Sequence, residues 1–210
     1  LCDQDDVWHR DKIKYMAQVS EKESGALLVI CRYQKIKNSA DISFRNPSGL
    51  YHREDNVSVG EYPGCCFCFR KSFFDRVKDA RNEEAAHDLL IRMAAWMSDG
   101  IYICGDTLHY FRRHSGSATA TGGWKSDAED RKKYAGLVLD QYNALAKVIG
   151  EERVPTGYAE FLNMRYGMLK SGSAAEWFGI LKYSRFYSQK KHIFADLLSI
   201  LGKQNGGGEK

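Results

Sequence analysis

Only three prolines occur in 210 residues, so the chain has neither a Pro-rich linker nor a collagen-like segment. No apolar run approaches the ~18 residues that a membrane-crossing helix needs. The longest, Ala26 to Cys31, suits a buried strand instead. A strong excess of one charge is also missing. The 31 basic side chains face 27 acidic ones, for a net charge of +4. That balance, with acids interspersed throughout, falls short of a nucleic-acid-binding footprint, and no nucleic acid is expected as a partner. The six cysteines form no secreted framework: Cys65, Cys66 and Cys68 crowd together, while Cys2, Cys31 and Cys104 sit in apolar surroundings. Reduced thiols in a cytoplasmic protein are the expectation. The heavily charged first twenty residues read against a signal peptide.

The 43% hydrophobic and 28% charged residues are ordinary globular composition and exclude wholesale disorder. The length suits one domain with an appendage, or two small domains. A dense acidic motif begins at Asp3, almost at the first residue, Leu1. We therefore read the sequence as the C-terminal part of something longer.

Periodicity predicts a first helix from about Arg10 to Lys22, with Ile13, Met16, Ala17 and Val19 or Ser20 on its inner stripe. Ala26–Cys31 and Gly64–Phe69 read as apolar runs, and the stretch between them as turn-rich. A short helix follows over Lys71–Ala80. An amphipathic helix is expected over Glu84–Ser98, with Leu89, Leu90, Met93, Ala94 and Met97 inward and Gly100 past its end. Two short strands, Ile101–Cys104 and Thr107–Arg112, are expected around a Gly105-Asp106 turn. Thr119–Gly123 reads as a small-residue joint. Beyond it nearly everything is helical, with capping-box spacing at Ser126/Glu129 and Ser173/Glu176 and helix stops at Gly150 and Gly172. Leu137, Val138, Leu145, Phe161, Leu162, Trp177, Phe178, Leu197 and Leu198 are the predicted core of this part. The last helix, Ser188–Leu201, is expected to turn Phe194, Leu197, Leu198 and Leu201 to one face.

Three segments carry candidate chemistry. Asp3, Asp5 and Asp6 offer three carboxylates within four residues. A hard divalent cation takes oxygen ligands, and such a cluster repels itself without one. Its plainer reading is a solvated loop or helix cap, although the Val7-Trp8 that follows favours a packed motif. His87-Asp88 opens a helix, where an acid either serves the dipole or stands as a general base on a rigid support. Tyr110-Phe111-Arg112-Arg113-His114 ends a strand. Arginine pairs with phosphate oxygens and imidazole ligates metals, but a solvated strand end accounts for the same residues.

Taken in order, the three resemble the bacterial family-2 glycosyltransferases of the GT-A fold, particularly the rhamnosyltransferase-like members. Leu1-Cys2-Asp3-Gln4-Asp5-Asp6-Val7-Trp8, with Lys12 in the following helix, is similar to the family's Asp-x-Asp-Asp-hydrophobic-Trp segment. Gly64–Arg70 is similar to its acceptor-side segment, His87-Asp88 to the pair bearing the catalytic base, and Tyr110 to His114 to its closing signature. The resemblance covers residues 1 to about 120. It implies an α/β fold: the C-terminal half of a GT-A domain over residues 1–120, followed by an α-helical extension over 121–210. The nucleotide-binding half would precede Leu1.

The resemblance further implies metal-dependent, inverting transfer of a sugar from a dTDP- or UDP-sugar to a hydroxyl of a glycan or lipid-linked precursor. Asp3, Asp5 and His114 are then the ligands of Mg²⁺ or Mn²⁺, Arg112 contacts the diphosphate, and Asp6 supports the metal ligands or positions the donor. Asp88 is the base, and Trp8, Gly64, His87 and Tyr110 lie on the acceptor side, where Trp8 and Tyr110 either stack on a sugar face or, as residue type favours, pack in the core. The expected location is the cytoplasm, peripheral to the inner face of the membrane. The competing reading is a non-catalytic fragment or scaffold. Its basic-aromatic tail, Lys182, Arg185, Phe186, Tyr187, Lys190, Lys191 and Phe194, would rest on a membrane or a partner.

Overall fold

In the computed structural model the described residues are 6–54, 62–112, 127–152 and 154–205. The protein is mixed α/β, and two strands organise its sheet. β2 (Leu28–Ile36) and β5 (Ile101–Arg112) run parallel from the Leu28↔Ile101 pair to the Ile36↔Arg112 pair. β4 (Phe67–Phe69) lies antiparallel on the other edge of β2, against its first three residues. Two short strands share the far edge of β5. β3 (Tyr51–Arg53) covers its first part and β1 (Val7–Trp8) its last, both antiparallel. Strand β2 is therefore central only at its start, and its burial follows. Leu28–Cys31 are all buried, whereas exposed positions appear once β4 has ended.

The expected Gly105-Asp106 turn is not a turn, because β5 runs through it as one strand. Three residues of β5 lie between the partners of Ile30 and Arg32 (Ile103 and Thr107) where β2 has one, so the extra length bulges out of the ladder. A neighbouring loop takes up the bulge. Gly105 N–H donates to Leu50 O at 2.7 Å, and the Asp106 carboxylate accepts from Ser48 N, Ser48 Oγ and Gly49 N. Glycine and aspartate mark both turns and bulges, and only the pairing partner tells them apart.

Helix α1 (Lys12–Lys22) buries Lys12, Met16 and Val19, while Ile13 is 55% exposed. The inner stripe is thus rotated by one residue from the expected one, with a lysine in it. α2 spans Lys71–Val77 and continues as a 3₁₀ turn to Ala80. α3 (His87–Met97) starts later than expected, since Glu84 N–H bonds the Asn82 side chain in a turn. It is also buried on nearly every side, because α2 and α4 pack against it. At its end Asp99, not Gly100, takes the left-handed conformation, with φ +58°. Gly100 is required for a different reason: a Cβ there would lie 2.5 Å from Leu27 Cγ.

The C-terminal region is helical: α4 (Ala128–Ile149), α5 (Tyr158–Ser171), α6 (Ala174–Ile180), a 3₁₀ segment (Leu181–Phe186) and α7 (Lys191–Asn205). Ser173 caps α6 by accepting from Glu176 N, and Gly150 and Gly172 close α4 and α5 at positive φ. The cap of α4 is Asp127, which accepts from Asp130 N at 2.8 Å. The expected cap Ser126 and the joint 119–123 lie outside the described residues. α4 docks on the α2–α3 connection through Gln141, fully buried, which donates to Ala80 O and accepts from Asn82 N. One buried apolar cluster extends from Met16 on α1 to Ile200 on α7, so sheet and helices share a core.

The last helix faces the other way from the expected one. Phe194 (57% exposed) and Leu198 (59%) point outward, as do Leu201 and Phe178; Leu137 and Leu197 are half-buried. Asp196 sets this rotation. At zero exposure itself, it accepts from Arg131 Nε at 2.9 Å, Arg165 Nε at 2.8 Å and Tyr187 Oη at 2.7 Å. An acid so placed turns its side of the helix inward and the leucines opposite it outward. Among the described residues, no helix is long and apolar enough to cross a membrane, and the five cysteines are free thiols.

Burial alone would raise the Asp196 pKa, but the Arg165 and Arg131 charges and their hydrogen bonds outweigh it and hold the carboxyl below its usual range. Its folded-state pKa being depressed, its contribution is fully present above the unfolded value of ~3.9 and is lost as pH falls through the folded value. Asp196→Asn should cost about 3–5 kcal/mol by stranding two arginines. In urea unfolding at pH 7 and pH 3, the gap between wild type and variant should narrow at the lower pH.

Candidate functional site

The acidic motif enters the described structure at Asp6, immediately before β1. The Asp6 carboxylate is fully buried and both its oxygens are engaged. Oδ2 lies 2.8 Å from His109 Nε2, and Oδ1 accepts from Arg112 N at 3.0 Å. This one side chain therefore holds the start of β1 against the last turn of chain in β5. It joins two sequence motifs more than a hundred residues apart.

From His109 the polar chain continues inward. Lys12, only 2% exposed, places Nζ 2.9 Å from His109 Nδ1 and donates to Cys65 O at 2.8 Å. An ammonium has only protons to offer, so Nδ1 accepts, and the ring's own proton sits on Nε2 towards Asp6. The ammonium also lies over the Trp8 ring, 4.0 Å from its centroid, an additional attraction for a desolvated cation. Asp6, His109, Lys12 and Cys65 thus connect β1, β5, α1 and the 3₁₀ turn Gly64–Cys66. Beside them the Trp8 Nε1–H is buried with no partner among the described residues.

Cys65, Cys66 and His109 offer ligand atoms all within 4.8 Å of one another. Thiols suit soft or borderline metals, and this donor set does not fit Mg²⁺ or Mn²⁺. Both ring nitrogens of His109 are already taken, by Asp6 and Lys12, so the arrangement satisfies itself as a buried polar network. A hydrogen bond with Cys66 draws the Cys65 thiol down to about 7 against its burial, with His109 assisting, while Cys66 is pushed up by its two thiol neighbours and by burial.

Several expected site residues are described, and their positions differ in kind. Asp6, expected at the donor, has no exposed oxygen and acts as an anchor for the two motifs. Tyr110, expected on the acceptor side, is 2% exposed and donates to Ser43 O at 3.0 Å with Phe44 against its ring edge, which makes it a core residue. Trp8 is half-buried with one ring face under Lys12. Arg112 is half-buried at the carboxyl end of β5, and Gly64 opens the turn that presents Cys65 O to Lys12. His87 is exposed and Asp88 half-buried at the first turn of α3, and Asp88 makes no ion pair among the described residues. A tight reversal joins α3 to β5, with Asp99 N donating to Trp96 O and Gly100 N to Ala95 O. Asp3, Asp5 and His114 lie outside the described residues.

Sequence reading gave Lys12 only as part of the resemblance, with no role, and missed His109. Lysine at the head of an amphipathic helix reads as surface. The available signal was the i, i+4, i+7 spacing of Lys12, Met16 and Val19.

The polar chain should be energetically coupled. Asp6→Ala leaves the His109 and Arg112 N–H groups without an acceptor, and Lys12→Met strips the donor from His109 Nδ1 and Cys65 O. Each should cost about 1–3 kcal/mol in denaturant unfolding, and the double variant should cost clearly less than the two together. Strict additivity would show that the two ends do not communicate through His109.

In comparisons with known proteins, no family model, no curated protein and no solved structure matches the chain.

Proposed function

We propose that this chain is the acceptor-side portion of a metal-dependent, inverting glycosyltransferase of the GT-A type, acting in the cytoplasm. Its substrates are a dTDP- or UDP-sugar and a hydroxyl of a glycan or lipid-linked precursor. The observation that supports this most directly is the pairing of Asp6 with His109 and Arg112. It brings Asp6, the last acid of the motif, to Arg112 at the carboxyl end of β5 in the parallel β2/β5 pair. In open α/β sheets, ligands bind beyond the carboxyl ends of the strands.

Asp3, Asp5 and His114 supply oxygen and imidazole donors suited to Mg²⁺ or Mn²⁺. The bound cation would neutralise charge developing on the departing nucleotide diphosphate. Arg112 pairs with the same diphosphate. Asp6, with both oxygens engaged by His109 and Arg112, does not touch the donor. Asp88, anchored by the buried Leu89 and Leu90 that follow it, takes the proton of the acceptor hydroxyl. The acceptor oxygen then forms its bond to the anomeric carbon as the bond from that carbon to the diphosphate breaks. The bonding pair leaves with the diphosphate, and configuration inverts.

In the full protein, Asp3→Ala and Asp5→Ala should each abolish Mn²⁺ binding measured by calorimetry, because a hard ion needs ligands at fixed positions. Asp88→Asn should leave Mn²⁺ and donor binding near wild type while lowering transfer by ~10²-fold or more. Unchanged Mn²⁺ affinity in both alanine variants would remove the metal assignment. Unchanged turnover in Asp88→Asn would remove the base.

A further inference from the structure

Half of the large hydrophobic side chains exposed on the described surface fall in one short stretch: Phe178, Leu181, Phe194, Leu198 and Leu201. They belong to α6, the 3₁₀ segment after it, and α7. On α7, Phe194, Leu198 and Leu201 follow the i, i+4, i+7 spacing of a single stripe. Trp177 joins this stripe to α6. Its buried ring contacts Phe178 at 5.3 Å and Phe194 at 6.4 Å between centroids, and its Nε1–H donates to Ile193 O at 3.0 Å. Soluble surfaces scatter such residues singly, and a clustered set marks an interaction site.

We propose that this face of α6 and α7 docks on an anionic lipid surface, with the apolar stripe at the headgroup boundary and a cationic rim against the headgroups. The charge around the stripe selects this occupant. Lys182, Arg185, Lys190 and Lys191 are all exposed beside it. The acids between residues 173 and 205 are Glu176 and Asp196, and Asp196 is buried between Arg131 and Arg165. A second copy of this chain would bring the same cations against these and repel them, whereas an anionic leaflet attracts them. An apolar stripe bordered by lysine and arginine is the pattern of a helix lying in the membrane interface. The face cannot rotate inward to hide, because Asp196 on the opposite side is held by Arg131, Arg165 and Tyr187.

The inference is independent of glycosyl transfer, and its test uses no sugar. The full protein is floated with vesicles of phosphatidylcholine alone and with vesicles containing phosphatidylglycerol as well. Recovery should occur with the anionic vesicles only and should fall steeply as salt rises. Phe194→Asp with Leu198→Asp, and separately Lys190→Glu with Lys191→Glu, should each lower recovery by ~10-fold or more. All four positions are exposed, so circular dichroism and melting temperature should match wild type. Absence of recovery with anionic vesicles, equal recovery with both compositions, or recovery that neither double variant changes would overturn the proposal. So would a dimer in light scattering that Leu198→Asp dissociates, since it would show that a second copy covers the face.

Discussion

Burying the Lys12 ammonium commits four elements to one geometry, because a cation taken out of water must find acceptors where it lies. Its acceptors come from elsewhere in the chain: Cys65 O from the turn before β4, and His109 Nδ1 from β5. Asp6 completes the charge balance from the other side of the imidazole and also holds the backbone of Arg112. The neutral ring between a cation and an anion lets both be buried without touching. Position and charge are thus coupled: β1 can pair with the end of β5 because this chain of bonds closes, and the acidic motif enters the fold at that point.

A second buried charge does the same for the helical region. Asp196 draws Arg131 from α4, Arg165 from α5 and Tyr187 from the connection ahead of α7. Satisfying that carboxylate outweighs burying Phe194 and Leu198, which a helix of this composition would otherwise turn inward. Mean hydropathy does not predict such an outcome, because the cost of an uncompensated buried acid exceeds the gain from one or two apolar side chains. The exposed stripe is the consequence, and the lysines at its border give it a chemical preference. One buried apolar cluster includes residues of α1, β5 and α7, the elements that carry these two networks.

Much of the local structure was legible in the sequence. Periodicity located α1, α2 and the C-terminal helices, glycines marked the ends of α4 and α5, and Ser173 marked the start of α6. The apolar run at residue 26 located the parallel strand that lies beside β5. These features rest on propensities and caps, which act within a few residues. The candidate site was legible only in its chemistry: acids, a helix-borne His-Asp and an arginine, in that order.

Pairing across the chain decided the rest. Gly105-Asp106 became a bulge because β2 stays alongside β5 while the 47–50 loop accepts the surplus. Gly100 is glycine because Leu27 occupies the space its Cβ would need. Asp6 serves as an anchor and Tyr110 as a core residue, since their partners His109, Arg112 and Ser43 are brought to them only by the fold. The sequence by itself determined which segments are helix and strand and which residues have chemistry to offer. Tertiary structure alone decided which of those residues are spent on holding the fold, because burial of a charge or a hydroxyl depends on partners that sequence distance conceals.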